Sequence, residues 1–367
     1  MNKKRIKKYT SSVLVLCMAL EMQTSMSFAL EKDNKNISNT LKETIVEKEN
    51  INKEDNNISF EQNSTPMSGS CGMTTNDTLK WSLESNNNSY KLIINGSGNM
   101  KDFTVSKDND DRPWKDYINK ITEVKIGNSV TSIGDNSFRN LTALKKVNIP
   151  ASIKDLGDYI FLGDSALTTV NWDNGFNAPT ITDKDSNTNV YTGAYLPTSM
   201  FDGCTSLGEG ISLTEWLPDS FVGVGCAALR NTKFNIDFDK WHNLKYIGAY
   251  AFYGMENLNN FTLNDKYKIG LRGDNISNAF SNSGLNKINI DVREVPKGFL
   301  TNSKLKQFTL SDKVETIGEN EFMGTSVEEA VIPKNVKTIK NYAFVDCKKL
   351  EKVIEDCIQN TEEEELE

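Results

Sequence analysis

Four stretches of the chain carry the same spacing of apolar residues, and that spacing limits the possible folds more than any other feature. Ile121, Val124 and Ile126 lead to Val130, Ile133-Gly134 and Phe138, and Leu144, Val147 and Ile149 lead to Ile153, Leu156-Gly157 and Phe161. Far downstream, Leu305, Phe308 and Leu310 lead to Val314, Ile317-Gly318 and Phe322; Val327, Ala330 and Ile332 lead to Val336, Ile339 and Phe344. The shared offsets are 0, 3, 5, 9, 12 and 17, and the next unit begins after 22 or 23 residues. Less regular copies start near Leu167, Leu207, Leu229, Leu258 and Leu285, with phenylalanine markers read as Phe201, Phe221, Phe252, Phe280 and Phe299. On that reading, nine of the 17 phenylalanines share one repeat position.

Offsets 3 and 5 point to one face of a short strand, and offset 4 to the other. A single unit cannot cover its own inward pair, so neighbouring units must stack before any core exists. A period in the low twenties headed by Leu-x-x-Val-x-Ile indicates a leucine-rich solenoid. The expected fold is an α/β-type repeat solenoid, mostly β: a right-handed array with a parallel sheet of short strands and a small N-terminal β-cap. The array is placed at residues 121–354, as about nine and a half repeats with central insertions. Ten strands at ~4.8 Å spacing would span roughly 43 Å. Gly134, Gly157, Gly248 and Gly318, each following the unit's last aliphatic residue, are expected at turns with positive φ.

The segments outside the array read differently. Lys3, Lys4, Arg5, Lys7 and Lys8 precede a short apolar run at 13–20 and a Ser27-Phe28-Ala29 cleavage site, so residues 1–29 are expected to be an export signal. Glu21 ends the apolar run well short of the ~20 residues a membrane span needs. Residues 30–66, rich in Asn, Lys and Glu, hold too few apolar side chains to offset ordering entropy and read as a flexible spacer. Within the cap at 67–120, Trp81/Leu83 and Leu92/Ile94 alternate around an Asn/Ser-rich turn at 84–89, as in a hairpin. Residues 355–367 form an acidic tail.

The repeat unit resembles the BspA-like leucine-rich repeats of bacterial surface proteins. The resemblance rests on Ile149-Pro150, on Val130-Thr131-Ser132-Ile133-Gly134, on Ala343-Phe344-Val345-Asp346-Cys347 and on Phe201-Asp202-Gly203-Cys204. Ser70-Cys71-Gly72, Trp81-Ser82-Leu83 and Pro113-Trp114 match the N-terminal module of the same family. The resemblance covers about residues 69–354 and implies an adhesin or surface-interaction protein. The central units depart from it, with a long insertion after Leu167 and another carrying Trp241 and His242.

Composition narrows the chemistry. A single His excludes His-pair zinc sites and the HExxH helix, and 42 Lys+Arg against 50 Asp+Glu, a formal net charge of −8, disfavours nucleic acid. No metal, cofactor or catalytic constellation is expected. Cys204 and Cys347 fall on an inward position and Cys226 follows Phe221 similarly, so they read as small buried hydrophobes, with a Cys204–Cys226 bridge as the alternative.

Arg272-Gly273-Asp274 is the integrin-type tripeptide in a lengthened unit, although a tight turn explains Gly-Asp equally well. Asp183-Lys184-Asp185-Ser186-Asn187-Thr188-Asn189 opens like a calcium loop but lacks its later Gly and Glu, so a polar turn is favoured. Asp237 and Asp239 could pair as hydrolytic carboxylates, yet no cleft is implied.

The offsets flanking the inward pair leave Glu123/Lys125, Lys146/Asn148, Thr169/Asn171, Asn231/Lys233, Asn260/Thr262, Lys287/Asn289 and Gln307/Thr309 on the strand surface. Extended solenoid faces bind proteins or polymers. Lys125, Asn148, Lys287, Asn289 and Thr309 are therefore candidate ligand contacts, together with Arg272, Gly273 and Asp274. The expected partner is an extracellular protein or matrix ligand, met by a monomer that is secreted or displayed at the cell surface. A structural spacer and the accessory repeats of a secreted hydrolase are the alternatives.

Overall fold

The computed structural model describes residues 67–184, 190–271 and 277–356. They form a solenoid of about nine turns, nearly all β. Helix among the described residues is confined to one turn at Leu213–Trp216 and one 3-10 turn at Lys115–Tyr117.

The main row of strands follows the apolar alternation. Ile121–Ile126, Lys146–Ile149 and Thr169–Trp172 pair in parallel, with Val124 opposite Val147 and Val147 opposite Val170. Asn260–Asn264, Lys287–Asp291 and Gln307–Leu310 form a second stretch, with Ile288 opposite Phe308; Glu329–Pro333 and Lys352–Asp356 form a third, with Ala330 opposite Val353. Val124, Val147, Phe308 and Ala330 are all buried, as their shared offset requires. The sequence anticipates one continuous sheet, but between Trp172 and Asn260 the row shrinks to two parallel bridges, Ser212 to Asn235 and Ile236 to Leu258.

An aromatic cluster occupies this break. The Leu213–Trp216 turn sends Trp216 inward, where its indole N–H donates to the Val170 carbonyl at 3.1 Å. Its ring lies 5.7 Å from Trp172, 5.6 Å from Phe201 and 4.6 Å from Phe234.

At the N-terminal end, Lys80–Asn86 and Ser89–Asn95 form an antiparallel hairpin through Asn87 and Asn88 (φ 41° and 67°), with Trp81 opposite Ile94 and Leu83 opposite Leu92. Ser89–Asn95 then pairs in parallel with Ile121–Ile126. The hairpin thus starts the same row of strands.

Most coils also carry a second, shorter strand, at offsets 9–12 in the four regular units. Gly98–Asn99, Val130–Ile133 and Asp155–Leu156 make one parallel sheet; Tyr195–Leu196, Gly223–Val224, Tyr246–Gly248 and Lys268–Leu271 make another. The glycine that closes this strand does not adopt positive φ, contrary to expectation. Gly157 is required because a Cβ there would lie 2.5 Å from the Asp135 backbone nitrogen, and one at Gly318 would lie 2.5 Å from the Val295 carbonyl oxygen. Close packing of coil on coil selects glycine at these sites.

Positive φ occurs further along, two residues before and two residues after the spine position. Asn136 and Asn140 flank Phe138, Tyr159 and Gly163 flank Phe161, and Tyr250 and Gly254 flank Phe252. The left-handed residues turn backbone N–H groups along the solenoid axis. Phe138 N–H donates to Ile160, Phe161 to Met200, Phe252 to Ala279 and Phe322 to Ala343, at 2.8–3.0 Å. The outer turns are therefore stitched coil to coil rather than wound into helices, and Asn and Gly suit them because they tolerate that backbone best.

This register corrects two of the phenylalanine markers. Ala227 and Asn231 flank Leu229, and Gly298 and Asn302 flank Leu300, so these leucines hold the spine position. Phe221 packs instead 5.5 Å from Trp172 and 5.9 Å from Phe176, and Phe299 lies one residue early. The spine reads Phe138, Phe161, Phe201, Leu229, Phe252, Phe280, Leu300, Phe322 and Phe344, with all but Phe344 buried. Trp114 extends it at the N-terminal end, stacked 6.1 Å from Phe138.

Candidate functional site

The strand surface is set by the same alternation that sets the core. Lys125, Lys287, Asn289 and Thr309 are exposed, and Asn148 is half-buried. Parallel pairing in register places equal offsets side by side, so Lys125, Asn148 and Asn171 are neighbours, as are Thr262, Asn289 and Thr309. The amides and hydroxyls bond along the row: Asn171 Nδ2 donates to Asn148 Oδ1 at 3.0 Å and Thr309 Oγ1 to Asn289 Oδ1 at 2.6 Å. Asn289 Nδ2 donates to Thr262 Oγ1 at 3.4 Å. A planar amide in such a chain spends its oxygen and one N–H on neighbours and keeps another N–H for the surface.

The offset-2 row beside it is mixed. Lys91 and Glu123 pair at 3.0 Å, Lys352 and Glu329 at 3.3 Å, and Lys287 lies between Asn260 and Gln307. At the C-terminal ends of the strands, Lys313 bonds Asp291 at 2.8 Å and holds that carboxyl below the usual range. These pairs are exposed, so each contributes little stability and mainly fixes side-chain positions.

The face therefore brings the sequence-predicted residues together as two groups, Lys125 with Asn148 and Lys287 with Asn289 and Thr309, on either side of the central break. Asn231 and Lys233 do not belong to it. Asn231 sits at a left-handed turn position (φ 61°), and Lys233 pairs with Glu209 at 2.7 Å. Arg272, Gly273 and Asp274 lie outside the described residues, as does most of the stretch from Asp183 to Asn189.

Behind the face, titratable groups are buried for packing. Asp164 and Glu321 are fully buried, and burial pushes both carboxyls well above their ordinary values; Asp164 Oδ2 and Glu321 Oε1 have no hydrogen-bond partner. None of the four cysteines in the described residues is joined to another by a disulfide, which removes the Cys204–Cys226 bridge. Cys204 Sγ donates to the Phe161 carbonyl at 3.1 Å and Cys347 Sγ to that of Phe322 at 2.9 Å, the same contact one coil apart in each case. Cys226 does not share that position, because it precedes rather than follows the spine residue Leu229.

Sequence reasoning passed over Asn264, Lys266 and Tyr267, which with Trp241 and His242 line a cavity of about 280 Å³ beside Thr262. The signal available was the insertion carrying Trp241 and His242, which interrupts the repeat where the cavity opens. No helix among the described residues is long and apolar enough to cross a membrane.

Comparison with solved structures finds leucine-rich repeat proteins. One from Bacteroides ovatus is 18% identical, with 76% of this chain and 87% of that one covered and a TM-score of 0.41. One from Eubacterium ventriosum is 17% identical, covering 78% and 84%, with a TM-score of 0.40. A leucine rich cell surface protein from Faecalibacterium prausnitzii is 16% identical, covering 81% and 96%, with a TM-score of 0.37. No curated protein matches the chain. The BspA type leucine rich repeat region matches in six copies over residues 116–185 and 224–351, more than half of the sequence, and the chain belongs to that family.

Proposed function

We propose that this protein is a secreted or surface-displayed binding module whose ligand contacts lie on the polar strand face. The observation that carries the reading is two in-register runs of amides and hydroxyls, Asn148 with Asn171 and Thr262 with Asn289 and Thr309, each bonded side chain to side chain on a stitched β scaffold. Such a row is ordered before any ligand arrives, which lowers the entropic cost of association. Membership of a repeat family of the kind found on bacterial cell surfaces supports the same reading. The adhesive role, the partner and the export route are parts of the proposal.

The test is capture from extracellular-matrix and cell-envelope extracts by the wild-type chain and by a Lys125→Glu/Asn289→Lys/Thr309→Lys variant. Loss of the captured partner at unchanged melting temperature supports the reading. Equal capture by both proteins refutes the strand face as the contact surface. An Asp274→Ala arm, repeated under divalent-metal chelation, separates an integrin-type contact from the strand face.

A further inference from the structure

We infer that the unpaired edge of the Asn260–Asn264 strand, where it faces the central break, accepts an extended peptide segment of the partner protein as an added strand. The inference rests on the binding reading above and specifies how the partner chain is held.

The phase of the ladder decides which backbone groups are free. Asn260–Asn264 pairs on one side with Lys287–Asp291, without a bulge, and Lys287 N–H donates to the Asn259 carbonyl at 3.1 Å. Successive peptide groups of a strand point to opposite edges. Phe261 and Leu263 therefore serve that ladder, and Asn260, Thr262 and Asn264 turn their N–H and C=O groups to the break. On that side the bridge from Ile236 to Leu258 is the only ladder contact among the described residues. Beyond it the preceding coil turns away: Asp239 N–H donates to Asp237 Oδ1 at 3.2 Å, and Lys240 N–H to the Asp237 carbonyl at 3.1 Å. Tyr267 N–H donates to the Asn264 carbonyl at 3.3 Å. The Asn260 and Thr262 N–H and C=O groups and the Asn264 N–H have no hydrogen bond among the described residues.

That arrangement selects a ligand class. The free groups recur every second residue, roughly 6.6 Å apart, which is the repeat of another extended main chain. Natural sheets blunt such an edge with lysine, proline or a bulge, and Asn260-Phe261-Thr262-Leu263-Asn264 carries none of these. A cavity of about 280 Å³ opens beside Thr262 and Asn264. Phe238, Trp241 and Tyr267 border it, but each is more than nine-tenths buried, so little apolar surface remains for a side-chain anchor. Asp239 and Lys266 give its lining both signs of charge, which suits neither a lipid nor a polyion. The repeating feature is main chain, and peptides that add to sheet edges draw their affinity from main-chain hydrogen bonds.

The turn after Ile236 walls the groove at its Leu258 end, so it admits one extended segment rather than the whole edge of a second sheet. The groove is also continuous with the polar face, because the Thr262 hydroxyl accepts from Asn289, which in turn accepts from Thr309. A partner held there by its backbone lays its neighbouring side chains along that row.

The experiment selects octapeptides from a random phage library on the full chain, then measures them, synthesised with blocked ends, by fluorescence polarisation. Two variants are compared with the wild type. Thr262→Pro removes an N–H that faces the break and leaves the Phe261 and Leu263 bonds in place; Asp239→Trp fills the cavity from an exposed turn position. Each should weaken binding by about tenfold or more, as expected when backbone hydrogen bonds of the added strand are lost. Peptides N-methylated at every second residue should bind in one phase and fail in the other, because an added strand turns only alternate N–H groups to its neighbour. Hydrogen exchange of residues 260–264 should slow when the peptide is bound. If Thr262→Pro does not fold, Asp239→Trp and the two N-methylated series decide the matter. No enriched peptide, equal tolerance of N-methylation in both phases, or wild-type affinity in Asp239→Trp would each overturn the inference. If a matrix protein is still captured through the strand face in that case, the groove fails alone; if capture fails too, the binding reading falls with it.

Discussion

Replacing Phe161 by alanine probes the packing that holds the coils together, at a point where both neighbours are aromatic. Phe161 is fully buried, stacked 5.6 Å from Phe138 at 20° and 5.4 Å from Phe201 at 6°. Exposing a phenylalanine side chain costs ~1.5–3 kcal/mol in transfer alone. Each lost aromatic pair adds ~0.5–1.5 kcal/mol. The hole cannot close readily, because Phe138 N–H to Ile160 and Phe161 N–H to Met200, at 3.0 and 2.9 Å, fix the coils at their present separation. The expected loss is therefore about 3–5 kcal/mol, as for other emptied aromatic core sites. Guanidinium unfolding followed by both far-ultraviolet circular dichroism and tryptophan fluorescence measures it. A loss below ~1 kcal/mol with an unchanged denaturant slope would show that the spine is not a packed core.

Three further outcomes follow from other positions. Burial holds the Glu321 carboxyl well above its ordinary value, so the unfolded form ionises first as pH rises and the folded state loses stability from the ordinary carboxylate range upward. Glu321→Gln should therefore gain on the wild type between pH 4 and pH 8 in thermal melts, and a difference that stays constant with pH would contradict the buried neutral carboxyl. Gly157→Ala and Gly318→Ala should each destabilise by more than ~1 kcal/mol in urea titration through collision with the preceding coil, whereas the same change at a merely flexible glycine would cost less. Ala227 adopts φ 52°, and Ala227→Gly should stabilise by up to ~1 kcal/mol by relieving left-handed strain; destabilisation would place that residue in another conformation.

The inward strand positions are legible because period-two alternation is written directly in residue type: Val124, Val147, Ile288 and Phe308 can face only one way when their neighbours are Glu, Lys, Asn, Gln and Thr. The outer turns were harder to read. Residue type and offset alone point to Phe221 and Phe299 for the spine, but the register is fixed by left-handed turn residues four apart, such as Ala227 with Asn231. Burial alone does not distinguish Leu229 from Phe221, since both are inaccessible. The glycine after the second strand suggests backbone freedom in sequence, but its constraint is the neighbouring coil, a contact that no single unit reveals. For the candidate site, the Asn and Thr row followed from offset 4, while the cavity depends on where the 235–240 coil turns away and so on tertiary path.

Radical footprinting of the full chain, alone and with its captured matrix or envelope partner, tests the functional account most directly. Protection should centre on the exposed strand-face residues within 146–172 and 260–310, with Lys146, Lys287 and Gln307 shielded and the outer turns at Tyr250 and Tyr342 unchanged. Protection confined to the outer turns, with the strand face as reactive as in the free protein, would contradict it.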